Sequence, residues 1–275
     1  MGQSSEAALR HHWHVVGISA RGVAHIKQGM PCQDSHVWRA LPGGAVVVAV
    51  ADGAGSAMLS QLGSARATLA AVEWVAELMK GAWPRDDTDW RDMLTAALET
   101  AHDSVLVAAN KRKVNPRELA TTLIVTVATP QLAVAAQVGD GAAIVMNGSS
   151  DPVCVTAPQS GEFINETIFF TSPEYLKAVQ FGVWRGEVTG LGVISDGLQR
   201  LALKMPEAVP HAAFFSPLLQ FLYESEDLHR AEQQLRDFLA SDRIRQRADD
   251  DLTLVLGALH QVRDTNPPPP EQTAD

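Results

Sequence analysis

The sequence predicts an α+β sandwich built on antiparallel strands, and three observations carry that reading. Short segments rich in Val, Ile, Ala and Thr come in consecutive runs bounded by turn residues. Tight turns such as Gly139-Asp140-Gly141 join neighbouring runs, as antiparallel pairing requires. Two long helical stretches enter as a pair, without the strict alternation of strand and helix that builds a doubly wound parallel sheet.

Taken in order, strands are expected at 14–19, 36–41 and 45–51, then at 121–128, 132–138 and 142–147, and last at 192–195 and 252–259. The helix pair falls between the third and fourth strands, at 61–80 and 89–111. In the first, Ala65, Leu69, Val72, Val75, Ala76 and Met79 recur at spacings of three and four, a stripe that can lie on a sheet. In the second, Met93, Ala97, Thr100, Ala101, Val105 and Ala108 do the same, with Asp86 or Asp87 placed to cap its start. A third helix at 229–240 carries Ala231, Leu235, Phe238 and Leu239. No linker-like stretch or internal repeat interrupts this order, so one domain is expected over 12–262. It is flanked by a flexible stretch at 1–11 and a disordered, proline-rich tail at 263–275.

Composition removes several classes of function. The 275 residues hold Lys+Arg 22 against Asp+Glu 32, a formal charge of -10, with 46% hydrophobic residues. Such a chain buries roughly three quarters of its unfolded surface without disulfide or metal staples. Nucleic acid and anionic membranes need clustered Lys and Arg, which an acidic balance does not supply. Cys32 and Cys154 form no CxxC pair, which argues against a disulfide framework or thiolate zinc and suits a reducing cytoplasm. Residues 1–10 are polar, unlike a signal peptide, and the longest apolar stretch, 45–51, is far short of the roughly 20 residues that span a bilayer.

The informative pattern is an apolar strand ending in Asp-Gly. It occurs at Asp52-Gly53, Asp140-Gly141 and Asp196-Gly197, and a fourth acidic cluster, Asp249 to Asp251, stands just before the strand at 252–259. Any one of these reads as a turn or a helix cap, Asp140 most readily because it sits in a hairpin. Turn chemistry does not explain why acids follow such apolar strands repeatedly. In an antiparallel sheet the start of one strand lies beside the end of its neighbour, so all four clusters can meet at one rim and repel one another. A bound cation removes that objection. Hard divalent ions such as Mg²⁺ or Mn²⁺ take oxygen ligands from carboxylates, a backbone carbonyl and water, with no need of His or Cys. Glycine after the acid lets the backbone turn so its carbonyl can approach the ion. Two such ions about 4 Å apart activate a water for in-line attack on a phosphoryl group, so a phosphate ester hydrolase is expected.

The same residues carry a resemblance to a known family. In order along the chain stand Cys32-Gln33-Asp34-Ser35, Ala51-Asp52-Gly53-Ala54-Gly55-Ser56, Ala120-Thr121-Thr122-Leu123, Val138-Gly139-Asp140-Gly141, Ile194-Ser195-Asp196-Gly197-Leu198 and Asp250-Asp251-Leu252-Thr253. Each is weak alone, but six in order over 14–259 make the chain similar to the metal-dependent protein serine/threonine phosphatases of the type 2C class. The resemblance implies a four-layer αββα sandwich of two antiparallel sheets with helices outside and metals in a cleft at one rim. It implies that Asp52 bridges two Mn²⁺ or Mg²⁺ ions and that the Gly53 carbonyl binds one of them. Asp196 and Asp250 complete the second metal, Asp34 holds metal-bound water, and Asp140 with Asp196 forms a third, weaker site. Asp34 and Asp52 are thus the catalytic pair. The implied substrate is a phosphoprotein, dephosphorylated at Ser or Thr without a covalent enzyme intermediate by a cytoplasmic, monomeric, stand-alone enzyme opposing a Ser/Thr kinase.

The sequence also departs from the pattern. Gln33 stands where Glu is common, and Gly29 where many members carry the Arg that binds substrate phosphate, leaving Lys27 or a protonated His25 as candidates. Ala54 replaces a His that some members use as proton donor, and Asp251 stands where Asn is usual and reads as a turn residue. Those losses would suit a degenerate phosphatase acting as a phosphoprotein-binding module, although every expected metal aspartate is present. A dinucleotide-binding turn at Gly53-Ala54-Gly55 fails at Met58, where the third Gly belongs, and Asp52 would repel a pyrophosphate. The group His11, His12 and His14 fits no familiar metal spacing. Residues 159–190, with Phe163, Phe169, Phe170, Tyr175 and Trp184, read either as a flap over the cleft or as core.

Overall fold

Two five-stranded antiparallel sheets carry the fold of the computed structural model, which describes residues 9–148, 151–158 and 169–263. The elements are β1 (Leu9–Ala20), α1 (Val23–Gln28), β2 (Ser35–Leu41), β3 (Ala45–Ala51), α2 (Ser60–Leu78), α3 (Asp87–Arg112), β4 (Leu123–Thr129), β5 (Leu132–Val138) and β6 (Ala142–Met146). They continue with β7 (Val153–Thr156), β8 (Gln180–Arg185), β9 (Gly190–Ile194), α4 (Gln199–Ala202), β10 (Leu203–Lys204) and β11 (Val209–Pro210). The last are α5 (Ala212–Tyr223), α6 (Leu228–Leu239), α7 (Asp242–Arg245) and β12 (Leu252–Arg263). One sheet runs β1-β12-β9-β6-β7 and the other β2-β3-β4-β5-β8.

Side-chain alternation along the central strands makes the layers. In β3, Val46, Val48 and Val50 join Trp13, Ile124, Val193 and Val255 in a core between the sheets. The alternate residues Val47, Ala49 and Ala51 pack under α2 and α3 with Val72, Val75, Leu94, Leu98 and Val105. On the far side, Val16, Ile18, Leu254 and Leu256 pack against Phe215 and Leu222 of α5 and Leu235 and Leu239 of α6. Four layers follow, two sheets between two helical faces, which is the αββα sandwich expected. A strand covered on both sides can be apolar throughout, and each fully buried Val side chain of β3 is worth about 1.5–3 kcal/mol over exposure. Asp86 caps α3, accepting from the backbone N–H groups of Thr88 and Asp89.

The differences from the sequence reading have physical causes. β1 and β12 are longer than expected because their pairing, from Leu9↔Arg263 to Ala20↔Leu252, continues through polar residues where the apolar pattern ends. Residues 9–11, assigned to a flexible terminus, are therefore strand, while 1–8 and 264–275 lie outside the described residues. α5 escapes the pattern because Pro217 interrupts it. β7 and β8 are short edge strands whose half-buried residues show no clean alternation. Of the stretch 159–190, residues 159–168 lie outside the described residues. Phe170 and Tyr175 are core, packed edge to face at 5.0 Å, and among the described residues of this stretch Phe169 lines the cleft. Among the described residues no helix is long and apolar enough to cross a membrane.

Candidate metal centre

The acidic residues converge where β3, β9 and the β5–β6 turn meet the start of β12. Asp52 leaves β3 with its backbone fixed on both sides. Thr121 Oγ1 and the Thr122 N–H each donate to its carbonyl at 2.8 Å, and its own N–H donates to Thr122 Oγ1 at 2.9 Å. The next residue must be small, because a Cβ on Gly53 would lie 2.7 Å from the Gln33 carbonyl and 2.8 Å from Ser60 Cβ. Gly53→Ala is therefore expected to destabilise the protein by about 1–3 kcal/mol and to displace Asp52. Chemical denaturation of the chelated protein would measure the first effect, and unchanged stability would show that Gln33 and Ser60 can give way.

Asp140 sits in the turn after β5. There Gly139 takes φ +117°, and Gln137 Nε2 donates to the carbonyls of Gly139 and Gly141 at 3.0 and 2.7 Å. Asp196 follows β9, and Asp250 precedes β12 with one oxygen accepting the Asp251 N–H at 2.8 Å. Carboxylate oxygens of Asp52, Asp140 and Asp196 all lie within 4.8 Å of one another. Gly53, Ala54, Thr122, Phe169 and Asp250 line the same cleft, and none of its lining residues is basic. Asp34 is buried behind it. One of its oxygens accepts from Ser195 Oγ and Thr253 Oγ1, both at 2.7 Å. A file of contacts runs on from Thr253 Oγ1 to Ser19 Oγ at 2.7 Å and to His36 Nδ1 at 2.9 Å.

Burial and mutual repulsion raise these carboxyls together. Desolvation pushes Asp34 up to about 7 against the pull of its two hydroxyl donors. Asp52 is held well above the ordinary carboxylate range, by desolvation first and then by the charges of Asp34 and Asp196. Asp196 rises to about 6 through burial and the charges of Asp140 and Asp250, and burial also raises Asp140. Two oxygens, Asp34 Oδ1 and Asp196 Oδ1, are shut off from solvent with no hydrogen-bond partner. Buried acceptors without donors, an all-oxygen ligand set and uncompensated negative charge fit a hard divalent cation.

The two candidates for phosphate binding are not among the cleft's lining residues, although a ring nitrogen of His25 lies within 4.8 Å of carboxylate oxygens of Asp250 and Asp251. Lys27 is exposed on α1, and His25 is buried with Nδ1 2.9 Å from Asp251 Oδ1, so neither lines the carboxylate cleft. Asp251 is no turn residue, which corrects the sequence reading. It is 1% exposed, and it accepts the Gly22 N–H at 2.7 Å on one oxygen and the Gln33 N–H at 2.5 Å on the other. The hydroxyls of Ser195 and Thr253 escaped notice as functional groups, although both sit inside acidic motifs. The available signal is their place within two residues of an Asp at a strand end.

Comparison with known proteins agrees with the architecture. A family model described as protein phosphatase 2C matches residues 21–240. The serine/threonine-protein phosphatase 3 of Escherichia coli strain K12 is 30% identical over 251 residues, covering 89% of this chain and 97% of that protein. Among solved structures, the serine/threonine phosphatase of S. agalactiae superposes with a TM-score of 0.59 at 15% identity, covering 90% of this chain and 99% of that one. Stp1, a serine/threonine phosphatase from Staphylococcus aureus, does so with a TM-score of 0.55 at 15% identity over 94% and 98% of the two chains. These likenesses are of fold, and the family match and the E. coli relative add descent, so the chain belongs to the protein phosphatase 2C family.

Proposed function

We propose that the protein hydrolyses phosphoserine and phosphothreonine in protein substrates, with two Mn²⁺ or Mg²⁺ ions held at the carboxylate cleft. The observation that carries this reading is the convergence of Asp52, Asp140 and Asp196 within 4.8 Å at a cleft without basic residues. Asp52 would be shared by both ions, with the Gly53 carbonyl on one and Asp196 and Asp250 on the other. Asp140 with Asp196 would hold a third ion more weakly. When bound, such ions bring a water toward neutral pKa and offset phosphoryl charge during in-line attack.

The part played by the chain is positional. The hydroxyls of Thr121 and Thr122 fix the Asp52 backbone, and those of Ser195 and Thr253 occupy one oxygen of Asp34. The other oxygen of Asp34 is left to orient the attacking water and take its proton. Ala54 has no ionisable side chain to donate a proton, so the leaving oxygen would take one from solvent. Lys27, exposed on α1, stays the proposed contact for the substrate phosphate, whereas His25 is committed to Asp251. In this reading the enzyme would work as a cytoplasmic monomer opposing a Ser/Thr kinase, an expectation drawn from the sequence. A binding-only role would leave five retained carboxylates without a reason. Hydrolysis of p-nitrophenyl phosphate and of a phosphoserine peptide should vanish in EDTA and return with Mn²⁺ or Mg²⁺. No hydrolysis with either ion would overturn the reading.

A further inference from the structure

The pairing of β1 with β12 that begins at the carboxylate cleft ends in a cluster of histidines. Ala20↔Leu252 lies at the cleft end, and His12↔His260 lies near the other. Val16, Ile18 and Ala258 face the helical layer of α5 and α6, and strand alternation puts His12, His14 and His260 on that same face. The ring centroids of His14 and His260 are 3.9 Å apart, and that of His12 is 5.1 Å from each. One ring nitrogen from each of the three lies within 4.8 Å of the other two.

The surroundings prepare these rings for a ligand. His14 Nδ1 and His260 Nε2 are closed to solvent and have no hydrogen-bond partner. A buried ring nitrogen left without a partner is costly, and two adjacent rings each carry one. Burial, and then the neighbouring rings, lower the pKa of His14 and hold that of His260 at about 4, and the neutral ring is the form that binds metals. Tyr223, at the end of α5, stacks on His260 at 4.3 Å and 7°, which fixes the plane of that ring. The backbone at Leu222 and Ser225 pulls the His14 pKa upward, but less strongly than burial lowers it. His12 is exposed, which leaves the cluster open to solvent on one side.

We infer that His12, His14 and His260 form a second metal site, which takes a borderline transition-metal ion, Zn²⁺ foremost, on three imidazole nitrogens with a fourth position open to solvent. Nitrogen donors of this kind suit Zn²⁺, Cu²⁺ and Ni²⁺, whereas the all-oxygen cleft suits Mg²⁺ and Mn²⁺, so the two sites sort metals by chemistry. Seven residue-to-residue steps along β1 lead from His12 to Ser19, which contacts Thr253 behind the cleft, or about 23 Å of extended strand. An ion there cannot reach the reacting phosphate. It ties together the outer ends of the two longest strands, beside the end of α5, and acts as a structural clamp.

The test compares full-length wild type, His12→Gln, His260→Gln and Asp52→Asn after chelator treatment. Zn²⁺ binding is read by calorimetry, and Co²⁺ binding by the intense visible absorption of a four-coordinate nitrogen site, which six-coordinate oxygen sites lack. Wild type and Asp52→Asn should both show that absorption and bind Zn²⁺ with similar affinity. Both histidine variants should lose the absorption, and Zn²⁺ affinity should fall by more than the roughly 10–100-fold that loss of an outer-shell partner costs. Because His12 is exposed, His12→Gln should fold normally and keep wild-type Mn²⁺-dependent hydrolysis. The site is refuted if His12→Gln and His260→Gln bind Zn²⁺ as wild type does. It is equally refuted if Asp52→Asn loses the Co²⁺ absorption, since the ion would then sit in the cleft.

Discussion

Asp52→Asn is expected to abolish divalent-dependent hydrolysis while making the metal-free protein more stable. Asp52 is the carboxylate proposed to serve both ions, and an amide supplies neither the charge nor the second anionic oxygen they need. Metal stabilisation of transition-state charge is worth several kcal/mol. At about 1.4 kcal/mol per tenfold, its loss lowers kcat/KM by about three orders of magnitude or more. The stability effect runs the other way because Asp52 sits among Asp34, Asp196 and Asp250, all of one sign. A neutral isostere removes one member of that repulsion. Thermal unfolding in EDTA should therefore show Asp52→Asn above wild type by a few °C, at roughly 2–4 °C per kcal/mol for a chain of this size. Saturating Mn²⁺ should reverse the order. A variant with wild-type turnover would remove Asp52 from the reaction, and one less stable in EDTA would remove the repulsion argument.

The pH dependence of the chelated protein follows from the same carboxyls. Their folded pKa values lie above the unfolded ones, about 7 for Asp34 and about 6 for Asp196, so the folded state binds protons more tightly. Their stabilising contribution is full below the unfolded carboxylate pKa of about 4 and is lost as pH rises through the folded values. In EDTA, stability should fall between about pH 5 and about pH 8, by an amount on the order of a few kcal/mol, and less steeply in Asp52→Asn. A wild-type curve flat over that range would contradict the raised values.

Much of this site was legible in the sequence because its chemistry lies in backbone-linked pairs. Asp-Gly after an apolar strand announces both a turn and an acid at a sheet rim, and three such pairs in one chain specify a shared rim. The residues that order the site were harder to read. Ser195 and Thr253 act on Asp34 from 161 and 219 positions away, a proximity created only when β9 and β12 pair beside β1. The histidine cluster was hidden for a similar reason. His12 and His14 suggest nothing in sequence until antiparallel register delivers His260 opposite His12. α5 was lost because local signal and tertiary structure disagree at Pro217, where packing of Phe215 and Leu222 into the core outweighs the break.

Asp251→Ala should give the largest loss of stability of any single change around the site, about 3–5 kcal/mol, measured by urea unfolding in EDTA so that metal binding does not enter. Asp251 lies under the metal ligands as a tie between distant segments. Its Oδ1 accepts the Gly22 N–H and faces His25 Nδ1, and its Oδ2 accepts the Gln33 N–H. Gly22 is already pressed against this segment, since a Cβ there would lie 2.2 Å from the Asp250 carbonyl carbon, and the Ala24 N–H donates to the Asp249 carbonyl. Truncation leaves two buried backbone donors without acceptors and a buried ring nitrogen without the carboxylate it faces. Asp251→Asn is the sharper probe. An amide has one acceptor oxygen, so either Gly22 or Gln33 must face an NH₂ group and lose its bond, at about 1–3 kcal/mol. Because Gln33 precedes Asp34 and Asp251 follows Asp250, both variants should also weaken Mn²⁺ binding and lower turnover, although Asp251 is not among the proposed ligands of the cleft. If Asp251→Asn matched wild type in both stability and Mn²⁺ affinity, the tie would have no role in holding the metal centre together.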